Sequence, residues 1–261
     1  MKAKELIEKL IYGAYKREPT CDTIKAGDPE KELKRVMVTM FATVDVVRQA
    51  KEWGADMLIV HEPTYYDHWD IVEENKVTIA KKKLIDESGI VVFRYHDHMH
   101  SRDIDQITQG ELHYLRLDGT VSKTPYDASY MFTANEPITA LELANRMENK
   151  LGIKHVRIAG ERNKKSTKIA ACFGTPAGVY ELLTSDDVEI VLTGEACEWK
   201  LCEYARDASL LGINKSIIVM GHIPSERDGM RLLAERMKKE YKSFETRYIE
   251  CGEAYTYTDE E

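Results

Sequence analysis

Short apolar runs rich in β-branched residues alternate with segments of helical period along most of this chain. That alternation is the strongest constraint on its fold. Leu6, Ile7, Leu10, Ile11 and Ala14 recur at helical spacing, and residues 36–41 form a β-rich run. Val44, Val47, Ala50 and Trp53 return to helical spacing until Gly54 ends the helix. Residues 57–60 read as a strand, 72–87 as a helix closed by Ser88-Gly89, and 90–95 as the next strand. Residues 120–130 are polar and read as a connection. A helix over 139–151, a strand over 167–173 and a turn at 174–178 follow. Beyond them come a strand at 188–192, a helix at 196–211 and a strand at 216–220. A long helix runs from Pro224, where a missing donor costs nothing in the first turn, to Glu240. Residues 244–249 close the pattern as a strand, and Asp259, Glu260 and Glu261 form a frayed end.

Strands alternating with helices predict an α/β fold, with two interlinked layers and mixed, largely parallel sheets. The expected seam lies near 118–124. It gives an N-terminal part, 1–120, and a second part, 121–261, whose C-terminal end packs back on the first. The 261 residues are enough for a sizeable core in such a fold.

Charge and composition narrow the function. With 37 basic against 45 acidic side chains the net charge is −8, and no dense Lys/Arg block offsets it. This argues against generic binding to nucleic acid or an anionic membrane. No apolar run approaches the ~18 residues of a membrane helix. The charged N-terminus has no signal-peptide core, and the five cysteines have no C-x-x-C spacing. Reduced thiols in a cytoplasmic protein are expected.

The eight histidines are not scattered. His61 follows the 57–60 strand and precedes Glu62. His96, His98 and His100 follow the 90–95 strand. His222 follows the 216–220 strand, with Glu226 four positions on. In open α/β sheets functional groups gather beyond the carboxyl ends of strands. A single histidine there is more often an ordinary loop residue. Three strands delivering imidazole to one edge, two of them with carboxylate, point instead to a metal site for Zn, Mn, Fe or Ni. An extended backbone over 96–100 would place His96, His98 and His100 on one face. The loop holding Tyr65 and His68 either covers the site or contacts substrate.

These stretches resemble the Nif-three-like proteins, also described as type-two GTP cyclohydrolase I. Asp22-Thr23-Ile24 is similar to the family's early W-D-N-x-G-L segment. Residues 54–63, with Asp56, His61, Glu62 and Pro63, resemble G-A-D-L-I-I-x-H-H-P. His96 through His100 lines up with H-x-x-x-D, Thr193-Gly194-Glu195 with T-G-E, and Gly221-His222 through Glu226-Arg227 with G-H-x-x-T-E-R. Agreement covers about residues 20–110 and 188–240. Carried over position by position, the ligand set is His61, Glu62, His100, His222 and Glu226, holding two divalent cations. One histidine of the pattern is Glu62 here and its aspartate is His100, so three imidazoles and two carboxylates are conserved in number. Cys21 stands where the pattern has Trp, Phe41 where it has Asp, and Trp199 where it has His.

The resemblance implies a metal-dependent, hydrolase-like protein acting on a nucleotide or small phosphorylated compound, with GTP ring opening as the named candidate. Glu62 or Glu226 would bridge the cations or act as general base. His96 and His98 would orient ligands or contact substrate. It also implies a homo-oligomer, a hexameric ring. The alternative is a non-catalytic metal-binding scaffold or regulatory protein in which assembly matters more than chemistry. The expected metal ligands converge on one cleft.

Overall fold

The central strands of the first sheet are almost wholly buried and mostly apolar, as a parallel sheet covered by helices requires. The computed structural model describes residues 1–15 and 17–258, so the frayed end expected at 259–261 lies outside them. The chain divides into two units, Met1–Arg102 with Met230–Glu261, and Asp103–Gly229. The first begins with α1 (Ala3–Ile11), β1 (Ile24–Ala26), β2 (Arg35–Thr39), α2 (Val44–Trp53), β3 (Met57–Val60), α3 (Lys76–Ser88), β4 (Val91–Arg94) and α4 (Asp97–His100). The second holds α5 (Gln106–Leu115), β5 (Gly119–Lys123), β6 (Tyr130–Thr139), α6 (Ala140–Leu151), β7 (Arg157–Gly160), β8 (Lys165–Cys172), α7 (Val179–Thr184), β9 (Ile190–Thr193), α8 (Glu203–Leu210) and β10 (Ser216–Val219). The division falls within α9 (His222–Glu240), and β11 (Glu245–Tyr248) belongs to the first unit.

In the first unit the strand order is β1-β4-β3-β2-β11. Only β1 runs antiparallel to its neighbour. The α2 helix starts where Thr43 accepts the Val46 N–H at 3.2 Å and stops at Gly54, whose φ of 74° suits glycine. Its Val46, Val47 and Ala50 pack on Met37, Leu58 and Val92 of the sheet. The second unit orders β5-β6-β8-β9-β10-β7, with β8, β9 and β10 parallel and the outer pairs antiparallel. Its core includes Ala170, Val191 and Ile217 against Leu182, Leu183 and Ala205. The fold is thus α/β with two mixed sheets. Among the described residues no helix is long and apolar enough to cross a membrane.

Several elements differ from expectation. The 72–87 helix begins only at Lys76, because the Asn75 side chain accepts the Thr78 N–H at 2.9 Å and caps it there. The 196–211 helix is a π-helical turn at 198–202 followed by α8. The polar stretch over 120–130 overlaps β5, an edge strand whose largely exposed residues show no apolar alternation. The expected seam at 118–124 therefore falls inside the second unit.

The α5 helix was not legible because its buried positions include Gly110 and Glu111. A Cβ on Gly110 would lie 2.3 Å from the Gly229 Cα, so α5 meets the 228–229 backbone through glycine. Glu111 is fully buried, and its Oε1 accepts the Asp228 N–H at 2.9 Å. Burial first, and the Asp228 charge second, hold its carboxyl well above the ordinary 4.5. Below pH 4.5 both folded and unfolded chains are protonated there. Above it the unfolded chain releases the proton and the folded chain keeps it. Stability then falls by about 1.4 kcal/mol per pH unit until the folded carboxyl also ionises. Glu111→Gln keeps an acceptor oxygen without this penalty. Urea titration of the metal-free variant should show a gain on the order of 1–3 kcal/mol at pH 8 and almost none at pH 4. An equal difference at both pH values would refute the account.

Candidate metal centre

Val60 of β3 lies opposite Arg94 of β4, so His61 and Tyr95 leave the same sheet edge together. The His61 and Glu62 amides both donate to the Met40 carbonyl at 3.0 Å, which fixes the turn after β3. His61 is fully buried, and its Nδ1–H donates to the Tyr95 carbonyl at 3.0 Å. A carbonyl only accepts, so the proton sits on Nδ1 and Nε2 carries the lone pair. Burial, then the neighbouring His96 and His100, hold the His61 imidazole well below the ordinary 6.5 and keep it neutral. Its Nε2 lies 3.2 Å from His100 Nε2.

His96 completes a cluster of three imidazoles, with ring centroids 4.6 Å from His61 and 4.9 Å from His100. The backbone here is not extended as the shared-face argument required. The Asp22 carboxylate turns it into α4: Oδ1 accepts the amides of His96 at 2.7 Å and Asp97 at 2.8 Å, and Oδ2 accepts that of His98 at 2.9 Å. In a helical turn positions i and i+4 share a face, which brings His96 and His100 together. His98 instead gives its Nδ1–H to Asp22 Oδ2 at 2.8 Å. His96 donates from Nδ1 to Asp97 Oδ1 at 3.1 Å. Burial alone would push the Asp97 carboxyl up. Hydrogen bonds from His96, the Cys21 amide and the Thr20 hydroxyl more than offset it and hold the carboxyl well below the usual range.

Glu62 is 8% exposed, and its Oε2 is 3.8 Å from Arg94 Nη2. Arg94 is fully buried, donates from Nε to the His61 carbonyl at 3.0 Å and binds the His68 carbonyl. Asp70 holds the same loop by accepting the Thr64 and Tyr65 amides, and it pairs with Lys25 at 2.8 Å. Tyr65 is packed in the core, and burial pushes its phenol up to about 12. His68 is exposed, with its ring 6.1 Å from that of His96.

In the second unit β8, β9 and β10 end in register, and Gly174, Gly194 and Gly221 follow them. The Gly194 and Glu195 amides donate to the Gly174 carbonyl at 3.1 Å, and the Gly221 amide to that of Gly194 at 2.9 Å. A Cβ on Gly174, at φ +68°, would stand 2.2 Å from Glu226 Oε1. A Cβ on Gly194 would stand 2.4 Å from Ser225 Oγ. Only glycine lets the start of α9 approach so closely. His222 donates from Nδ1 to Glu195 Oε1 at 2.7 Å and turns Nε2 to Glu226 Oε2 at 3.2 Å. Imidazole nitrogen and carboxylate oxygen thus lie one turn apart on one helix, with Glu195 orienting the ring. A cleft of about 470 Å³ beside Glu195 is lined by Thr175, Tyr180, Cys197 and Lys200. Trp199 is exposed.

The structure therefore groups His61, His96 and His100 in the first unit, with Glu62 next in sequence to His61, and pairs His222 with Glu226 in the second. The reading of the sequence missed Asp22, Arg94, Asp97 and Glu195 as positioning groups. Glu195 lay in the Thr193-Gly194-Glu195 motif and Asp22 in the early segment, so a signal existed for both. Nothing in the sequence marked Arg94, an arginine in an otherwise apolar strand, as the anchor of the loop after β3.

Residues 6–253 match the sequence model of the family described as Duf34/NIF3 (NGG1p interacting factor 3). A Clostridium perfringens protein named GTP cyclohydrolase 1 type 2 homolog is 23% identical over 227 residues, 84% of each chain. A Buchnera aphidicola protein (strain APS, subspecies Acyrthosiphon pisum) of the same name is 24% identical over 90% of each. The solved structure of protein ybgI, described as of unknown function, superposes with a TM-score of 0.79 at 21% identity, covering 98% of this chain and all of that one. Reduced HcgD from Methanocaldococcus jannaschii gives 0.74 at 19% identity over 95% of this chain and 97% of that one.

Proposed function

Because this chain belongs to the Duf34/NIF3 family, we propose that it binds two divalent metal ions through His61, Glu62 and His100 of the first unit and His222 and Glu226 of the second. We infer that the loaded protein is a hydrolase-like enzyme acting on a nucleotide or small phosphorylated compound, as the names of its relatives suggest for GTP. The observation that carries the reading is the buried, neutral His61, whose Nε2 lies 3.2 Å from His100 Nε2. Two imidazole nitrogens at that separation match neighbouring ligands of one tetrahedral ion with bonds of about 2.0–2.1 Å.

Bound divalent metal would supply Lewis acidity and would lower the pKa of a bound water toward neutrality. The chain's own residues supply the rest. Tyr95 and Glu195 fix the tautomers of His61 and His222. Asp97 orients His96 within the imidazole cluster. Glu62 or Glu226 takes the proton from the attacking water when not committed to metal. The 470 Å³ cleft beside Glu195 has room for a small-molecule substrate. The reading includes a cytoplasmic homohexamer, and the exposed Trp199, Leu210 and Leu211 offer apolar surface for self-association.

Elemental analysis of protein purified without added metal should find two tightly held divalent ions per chain, and His222→Ala should hold about one. The loaded protein should turn over at least one member of a nucleotide and phosphate-ester panel. Metal retained at full stoichiometry in His222→Ala would overturn the ligand set. Full loading without turnover, with His222→Ala changing only the assembly state in light scattering, would replace the enzyme by a metal-binding scaffold.

A further inference from the structure

We propose that Cys21, His68 and Asp97 form an additional metal site in the first unit, separate from the imidazole cluster and built on a thiolate. Cys21 Sγ, a His68 ring nitrogen and an Asp97 carboxylate oxygen all lie within 4.8 Å of one another. Ligands of a tetrahedral ion bound at 2.0–2.3 Å stand about 3.3–3.8 Å apart. Closing the set around an ion therefore needs movements of about 1 Å.

The three donors come from three separate segments, and each segment is held in place. Cys21 lies in the loop before β1, where its amide donates to Asp97 Oδ2 at 2.9 Å and its thiol reaches Asp22 Oδ1 at 3.7 Å. His68 lies in the loop after β3, whose backbone is bound by Arg94 and Asp70. Asp97 opens α4 and also accepts from Thr20 Oγ1 at 2.8 Å. Two of the donors are buried, and the third, His68, is exposed, which leaves the ion a path from solvent.

One thiolate, one imidazole and one carboxylate, with water in the fourth position, suit a borderline cation such as Zn²⁺ or Co²⁺. Binding replaces the Cys21 S–H bond by a sulfur–metal bond and releases that proton to solvent. The five-residue set proposed above contains only nitrogen and oxygen donors. Thiolate ligation is therefore diagnostic of this second site. Cys21 also stands where the resembling segment has tryptophan, so the thiol belongs to this chain's own variation. Asp97 accepts from His96 as well, and that ties the site to the orientation of the imidazole cluster.

Titration of the full chain, with the two ions of the other set in place, with Co²⁺ should develop a near-ultraviolet thiolate-to-metal charge-transfer band that saturates at one further equivalent per chain. Cys21→Ser should abolish it. Cys197→Ser and Cys202→Ser should leave it unchanged, and so should His61→Ala, which removes a ligand of the other set. His68→Ala changes an exposed side chain with little risk to folding, and should weaken the Co²⁺ affinity read from the same band at least about tenfold. No band at saturating Co²⁺, a band that survives Cys21→Ser, or unchanged affinity in His68→Ala would each overturn the site. A band lost only in His61→Ala would assign the thiolate signal to the imidazole cluster.

Discussion

Asp22→Ala should lower the unfolding free energy by about 3–5 kcal/mol and weaken metal binding by about 10–100-fold, although Asp22 is not a proposed ligand. Its side chain is fully buried and accepts five hydrogen bonds, one of them from the Cys21 thiol. Three come from consecutive amides at the start of α4, where the N-cap residue His96 makes no side-chain capping bond of its own. Removing the carboxylate leaves those amides and the His98 ring nitrogen without acceptors in a part-buried site. The turn that sets His96 and His100 on one face then loses its anchor. Asp22→Asn should fall between parent and Ala. Its one oxygen can still accept the His96 and Asp97 amides, but its NH₂ group faces two donors at His98. Urea unfolding measures the stability, and competition with a chromophoric chelator measures the affinity. A loss below about 1 kcal/mol with unchanged affinity would show that α4 holds its shape without Asp22.

The strand-end histidines were readable because the apolar runs before them are short and unambiguous. Met57–Val60 and Ser216–Val219 are fully buried strands, and the chemistry after them is displaced by only one to three residues. The helix α4 was not readable. Its four residues contain three polar groups and no apolar period, and its geometry is imposed by Asp22 from more than 70 positions away. The β5 strand failed for a related reason, since an exposed edge needs no alternation. The tautomers of His61 and His222 depend on Tyr95 and Glu195, partners that only the fold supplies. Local pattern thus located the strand ends that carry the imidazoles, although β3 and β4 belong to one sheet and β10 to the other, not to one edge as expected. Long-range hydrogen bonds decided which imidazoles face one another.

That distinction gives the sharpest functional contrast, between two histidines two residues apart. His100→Ala should lose about one of the two ions proposed per chain, because its Nε2 lies 3.2 Å from His61 Nε2. His98→Ala should keep both. The His98 ring nitrogen is committed to Asp22 Oδ2 at 2.8 Å, and its side chain is not part of the imidazole cluster. Loss of that ring removes one of five bonds to Asp22 and leaves the three amide bonds that shape α4, at a stability cost of about 1–2 kcal/mol. Elemental analysis of both variants after gel filtration, with urea midpoints as the folding control, separates the outcomes. Full loading of His100→Ala together with metal loss in His98→Ala would show that the ion draws its donors from the Asp22 side of α4. The face shared by His96 and His100 would then not be the metal-binding one.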